Sequence, residues 1–172
     1  LKVVFAGASA VGKTSIIQQY LNNSVLQINP TLTASYIQHK LNENTILHIW
    51  DTAGQERFDA ITPVYFKGAD VVVLVFSFID EQSIQKLEKY FEQVQIRAPN
   101  AKIFLLGNKN DLEDYQISSS EIQDCQQKFL ANYYSVSAKT GDNIRNFFEN
   151  VGTVCQLSQQ QKINFDNQQK TK

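Results

Sequence analysis

Short apolar runs alternate with helix-period stretches along most of the chain, and this alternation narrows the fold more than any other feature. Lys2 to Ala6 (KVVFA) reads as a buried strand, followed by a Gly-containing turn and a helix from about Lys13 to Leu21. Val71 to Ser77, Lys102 to Gly107 and Tyr133 to Ser137 are further apolar segments. Each leads through a polar loop into a helical pattern, roughly Asp80 to Arg97, Ser118 to Asn132 and Asp142 to Leu157. In the first of these, Leu87, Phe91, Val94 and Ala98 recur at steps of three and four, which puts them on one buried face. Such alternation implies parallel βαβ units with right-handed crossovers and helices on both faces of the sheet. Tyr36 to Leu41 and Thr45 to Trp50 break the pattern. Only Asn42, Glu43 and Asn44 separate them, too few for a crossover helix, so they read as an antiparallel hairpin at the sheet edge. The expected architecture is α/β: a six-stranded, mostly parallel sheet with one antiparallel strand.

The chain's 172 residues make one domain and little more. A formal net charge of −1 lacks the basic footprint of a nucleic-acid binder, so no nucleic-acid partner is expected. The longest aliphatic run, Val71 to Phe76, is far below the ~20 apolar residues of a spanning helix, and no secretory segment opens the chain. Cys125 and Cys155 lack metal-ligand spacing and read as buried free thiols of a reducing, cytosolic compartment. The chain contains no methionine and starts within a strand-like run, which suits a trimmed fragment. Residues 158 to 172, rich in Gln, Asn and Lys, read as a polar tail to a domain spanning 1 to 157.

Gly7 to Thr14 (GASAVGKT) fits G-x-x-x-x-G-K-[ST] between a strand and a helix. Its glycines let successive N–H groups converge on a phosphate, and the helix adds its positive N-terminal end. The binding set is Ser9, Ala10, Val11, Gly12, Lys13, Thr14 and Ser15, with Lys13 reaching the β- and γ-phosphates and the Thr14 hydroxyl ligating Mg²⁺. The motif alone indicates a nucleotide without saying which.

Asn108 to Asp111 (NKND) ends a strand, where open α/β sheets bind ligands. The Asp111 carboxylate can accept from both the N1–H and the exocyclic amine of guanine. Adenine offers no such donor pair and would leave it unpaired. Asn108 is expected to brace the loop and reach the base edge, and the Lys109 stem to pack along the base face. Ser137, Ala138 and Lys139 end the next strand and are further candidate nucleotide-binding residues, the Ala138 N–H donating to guanine O6. Asp51 to Gln55 (DTAGQ) follows the hairpin. Asp51 is expected near Mg²⁺ through a water, the Gly54 N–H on the γ-phosphate, and Gln55 orienting the attacking water as the catalytic residue. Thr31, after Pro30, is a further candidate Mg²⁺ ligand and γ-phosphate contact on a loop ordered by the triphosphate.

GASAVGKTS, PTLTASY, IWDTAGQERF, GNKND and SAKTG, in this order and spacing, resemble the Ras superfamily of small GTPases. ILHIW, ERFDAIT and YFKGA are similar to the Rab branch, and GASAVGKTS and SAKTGDNI lean toward its endosomal members. The resemblance covers Lys2 to about Leu157. It implies a P-loop NTPase fold of the small G-domain type, binding of GDP or GTP with Mg²⁺, and slow GTP hydrolysis by activated water. It implies a monomeric switch in vesicle traffic, worked by an exchange factor, a GTPase-activating protein and effectors. The Rab effector triad falls on Tyr36, Trp50 and Tyr65. Family members usually sit on the cytosolic face of membranes through prenylated C-terminal cysteines. This sequence ends in QQKTK, so either the tail continues or the protein is not prenylated.

The sequence departs from the family in places. The Lys13–Thr31 segment is one residue short, and Ser24 and Val25 stand where an aromatic usually lies over the guanine. Faster exchange, or a substitute side chain, is the expected consequence. Leu32 and Thr33 replace the usual Ile-Gly, and Ser77 stands where Rabs often carry an acid. Arg57 reads as a structural switch residue and not an internal arginine finger, and His39 and His48 as surface or half-buried strand residues. Two alternatives stay open: a GTP-binding scaffold with fast exchange or impaired cycling, and a P-loop kinase or ATPase, against which NKND and DTAGQ argue.

Overall fold

The computed structural model describes residues 1–21, 34–52 and 62–154. Among these, six strands form one sheet: β1 (Lys2–Ala6), β2 (Ala34–Asn42), β3 (Thr45–Thr52), β4 (Val71–Ser77), β5 (Lys102–Asn108) and β6 (Asn132–Ser135). The order across the sheet is β2-β3-β1-β4-β5-β6. Every neighbouring pair is parallel except β2 and β3, whose antiparallel register sets Tyr36 opposite Trp50. The expected edge hairpin and mostly parallel sheet are both present.

The helices are α1 (Lys13–Tyr20), α2 (Thr62–Phe66), α3 (Glu81–Gln85), α4 (Leu87–Arg97), α5 (Ser119–Phe129) and a last helix, α6, described over 144–154. Strand side chains alternate between the two faces, which splits the core in two. Val3, Phe5, Val73, Val75, Phe104 and Leu106 pack with α1 and α6, whereas Val4, Ala6, Val72, Leu74, Phe76 and Leu105 pack with α2 to α5. All seven residues of β4 are buried, as a strand covered on both faces requires. On the α1–α6 side, Phe148 stacks on Tyr20 at 3.8 Å and on Phe5 at 6.1 Å, fixing the last helix to the sheet.

Three local differences from the sequence reading have physical causes. The single helix expected from Asp80 to Arg97 is two, because Lys86 has a flattened turn geometry (ψ −15°) between them. β6 stops at Ser135, since Ser137 turns back to donate its N–H to Asp142 O. The helix α2 has only five residues, too few for a periodic signal. Cys125 is a free thiol, but it is half-buried where full burial was expected; Cys155 and the polar tail lie outside the described residues. No described helix is long and apolar enough to cross a membrane.

Candidate functional site

Three loops meet beyond the C-terminal ends of the parallel strands: 7–12 after β1, 109–117 after β5, and 136–143 after β6. The first opens α1. Gly7 has φ +148°, and a Cβ there would lie 2.2 Å from the Val75 carbonyl oxygen, so the loop can leave β1 alongside β4 only with glycine. Ala10 (φ +62°) and Gly12 (φ +97°) keep the backbone curling, and Ser9 and Ala10 are exposed at its crest. Val11 is buried beneath the loop. Ser15 follows in the first turn of α1, half-buried.

Lys13 lies at the loop's centre. It is buried, and its ammonium donates to the Gly7 and Ala8 carbonyls at 2.9 and 2.8 Å. Burial pushes its pKa down to about 8, and the attraction of Asp51 only partly opposes this. The next residue meets the end of β3: the Thr14 hydroxyl donates to Asp51 Oδ2 at 2.6 Å. A hydroxyl and a carboxylate at a helix N-terminus are the hard oxygen donors that Mg²⁺ takes, so these two residues fit that ion. The third candidate ligand, Thr31, lies outside the described residues, as do Pro30, Gly54, Gln55, Arg57, Leu32, Thr33, Ser24 and Val25.

Asn108 joins the phosphate loop to the two others. Buried at the end of β5, it donates through Nδ2 to the Val11 carbonyl at 2.8 Å and accepts at Oδ1 from the Ala138 N–H at 3.0 Å. The bracing role expected of it is present, and the Ala138 N–H, expected on the base, is here paired with Asn108. Lys109 adopts φ +69°, which turns the chain so that Leu112 N–H closes on Lys109 O. Asp111 is thereby set at the middle of a turn, its side chain 13% exposed. Ser137 holds it: the fully buried hydroxyl donates to Asp111 Oδ1 at 2.6 Å and accepts from the N–H groups of Lys139 and Thr140. Lys139 adds a looser ion pair to Asp111 Oδ2 at 3.8 Å.

The part of Ser137 as the hub of its loop was not legible from the sequence, which marked it as a nucleotide-binding residue beside Ala138 and Lys139. Asn110, Tyr115 and Asp142 were missed altogether: the Asn110 amide donates to Ser135 Oγ and Asp142 Oδ2, and the Tyr115 hydroxyl donates to the Asn110 carbonyl. The bonds to Ser135 and Asp142 span 25 and 32 residues, and the Tyr115 bond lies within the 109–117 loop with no motif to mark it.

On the far side of the sheet edge, Tyr36, Trp50 and Tyr65 form one aromatic cluster, with centroids 5.3 Å apart for the first pair and 5.4 Å for the second. Lys2 lies over the Trp50 ring at 5.4 Å. His48 is half-buried and bonded to the Tyr36 hydroxyl at 2.6 Å, and His39 packs edge-on against Tyr20; both are ordinary strand residues.

The chain matches the model of the Ras family over residues 2–166. It is 33% identical over 165 residues to the Ras-related protein Rab-7B of Dictyostelium discoideum, covering 91% of this chain and 83% of that protein. Identity to the Ras-related protein Rab7 of Drosophila melanogaster is 36% over 159 residues, covering 87% of this chain and 77% of the relative. For the human Ras-related protein Rab-21 it is 36% over 153 residues, covering 86% and 68%. A six-stranded α/β sheet with this loop arrangement, and relatives of this kind over most of its length, place the chain in the Ras family as a Rab-like small GTPase.

Proposed function

We propose that the chain binds GDP and GTP with Mg²⁺, hydrolyses GTP to GDP and phosphate, and acts as a switch in vesicle traffic. The observation that carries this reading is the double bond-set of Asn108, which ties the phosphate loop at Val11 to the base-reading loops at Ala138. A purine and its phosphates are thereby fixed at one separation. Asp111, oriented by Ser137, accepts from the N1–H and amine of guanine; the Lys109 stem covers the base, and the Ala138 N–H shares its one hydrogen between Asn108 Oδ1 and the O6 edge. N–H groups of Gly12 to Ser15 and the Lys13 ammonium hold the phosphates. Thr14 and Thr31 would hold Mg²⁺ by their hydroxyls and Asp51 through a water, and the ion would supply positive charge to the phosphates. Gly54 donates its N–H to the γ-phosphate and Gln55 orients the attacking water.

Residues 1–157 form the G domain in this reading, and 158–172 begin a variable tail. The contiguous aromatic cluster of Tyr36, Trp50 and Tyr65 supports an effector face, while an exchange factor and a GTPase-activating protein act at the switches. Ser24 and Val25 cannot stack on guanine, so GDP leaves faster than from family members carrying an aromatic there. The site calls for no nucleic acid and no second copy of the chain. Membrane residence, on the cytosolic face of endosomal or other vesicles, would come only through a lipidated tail.

The test is single-turnover phosphate release from GTP-loaded protein. A rate on the order of 10⁻⁴–10⁻³ s⁻¹, the scale of Ras proteins without an activator, that disappears in Gln55→Leu supports the reading. Release that is absent, or unaffected by Gln55→Leu, would refute the hydrolytic part and leave a binding scaffold.

A further inference from the structure

We infer that Asn110 is the positioning residue of the base-reading loop, holding the Asp111 carboxylate in register with the 136–143 loop and so setting how slowly and how selectively a guanine nucleotide is released. The inference rests on the reading of Asp111 as base selector. Asn110 and Asp111 are the two central residues of the turn that Leu112 N–H closes on Lys109 O at 3.2 Å. The turn begins with a lysine at φ +69°, a conformation that non-glycine residues hold only where the surroundings over-determine it.

Asn110 supplies those surroundings. Its N–H donates to Val136 O at 3.2 Å, and its carbonyl accepts from the Tyr115 hydroxyl at 2.9 Å. Its amide donates to Ser135 Oγ at 3.2 Å and to Asp142 Oδ2 at 2.7 Å. The Tyr115 ring is itself stacked on buried Phe78 at 4.5 Å, and Asn143 ties Ser135 O from the other side at 3.1 Å. One side chain and its peptide groups thus engage β6, the loop after β6 and the segment leading to α5. Because Asn110 and Asp111 are adjacent in a two-residue turn tip, freedom at the first becomes misdirection of the second. Asp111 must meet two donors on one base edge, so its orientation matters more for guanine than for hypoxanthine, which lacks the exocyclic amine.

The experiment measures release of fluorescent GDP from the full chain, and competition between GDP and IDP for the same site. The wild-type chain is expected to prefer GDP. In Asn110→Ala, GDP release rises about tenfold and the GDP-over-IDP preference falls by a similar factor. Asp142→Ala moves both readouts the same way, while Asp142→Asn, whose amide oxygen can still accept, recovers them. The double variant is no worse than Asn110→Ala alone. Asn110→Ala with wild-type release and preference overturns the inference. So does weaker binding of GDP and IDP in unchanged proportion, the mark of a merely structural role. If Asn110→Ala does not fold, Tyr115→Phe carries the same readouts from an exposed position. A wild-type chain that does not distinguish GDP from IDP would instead overturn the base-selector reading itself.

Discussion

Removing the Ser137 hydroxyl should do more damage than its one lost oxygen atom suggests. That atom serves three partners from a fully buried position. Its bond to Asp111 Oδ1 is short, at 2.6 Å, and charge-assisted, a class that contributes about 1.5–3 kcal/mol. The N–H groups of Lys139 and Thr140, at 3.2 and 3.1 Å, add about 0.5 kcal/mol each. Ser137→Ala in nucleotide-free protein is therefore expected to lose about 3 kcal/mol of stability, read as the urea midpoint at unchanged slope. Nucleotide must be absent, because a ligand bound only by the folded state would mask the loss. If Asp111 reads the base as proposed, GDP affinity should fall as well, by about tenfold or more, since its carboxylate has lost its orienting donor. A stability change under ~1 kcal/mol together with unchanged GDP affinity would refute the argument that this hydroxyl organises the base-reading loops.

Other predictions follow from single features of the fold. Gly7→Ala puts a Cβ 2.2 Å from the Val75 carbonyl oxygen in the middle of the sheet, and should cost roughly 3 kcal/mol or more by urea unfolding. Leu130 follows α5 in the left-handed region (φ 51°, ψ 42°) and is 89% exposed. Leu130→Asn should therefore raise stability by about 0.5–1 kcal/mol, because it relieves strain and uncovers little. Ser118 caps α5 in a reciprocal box with Glu121, and Ser118→Ala should cost about 1 kcal/mol. Lys13 has its pKa lowered to about 8 by burial, and a bound phosphate favours the charged ammonium. Below about 8 the free chain already carries that charge. Above it, GDP binding must take up a proton, so affinity should weaken as pH rises past 8, by up to about tenfold per unit. Calorimetry in buffers of different ionisation heat would detect the uptake; pH-independent affinity from 7 to 10 would contradict the assignment.

The mostly parallel sheet and its antiparallel edge hairpin were legible because burial on both faces forces continuous apolar strands such as β4, and because three residues cannot carry a crossover between β2 and β3; the order of the strands was not. The candidate ligand-binding residues stood out for a similar reason: Lys13, Thr14 and Asp111 are types that phosphate, cation and base chemistry demand at fixed spacing. Of the bonds that hold those residues in place, the bracing by Asn108 was foreseen but not its partner, and the hold of Ser137 on Asp111 was hidden. Asn108 reaches across 97 residues to Val11, and Ser137 across 26 to Asp111, by hydrogen bonds that any polar residue near the right point could have made. The end of β6 and the break at Lys86 are likewise set by a turn and a flattened backbone, neither of which changes the apolar period.

The guanine assignment is tested most directly by competing GDP and ADP against a fluorescent guanine nucleotide on the wild-type chain with Mg²⁺ present. A carboxylate at Asp111 facing two guanine donors predicts that ADP competes at least ~10⁴-fold more weakly than GDP, since adenine would leave it unpaired. Comparable competition by the two nucleotides would contradict the account at its centre.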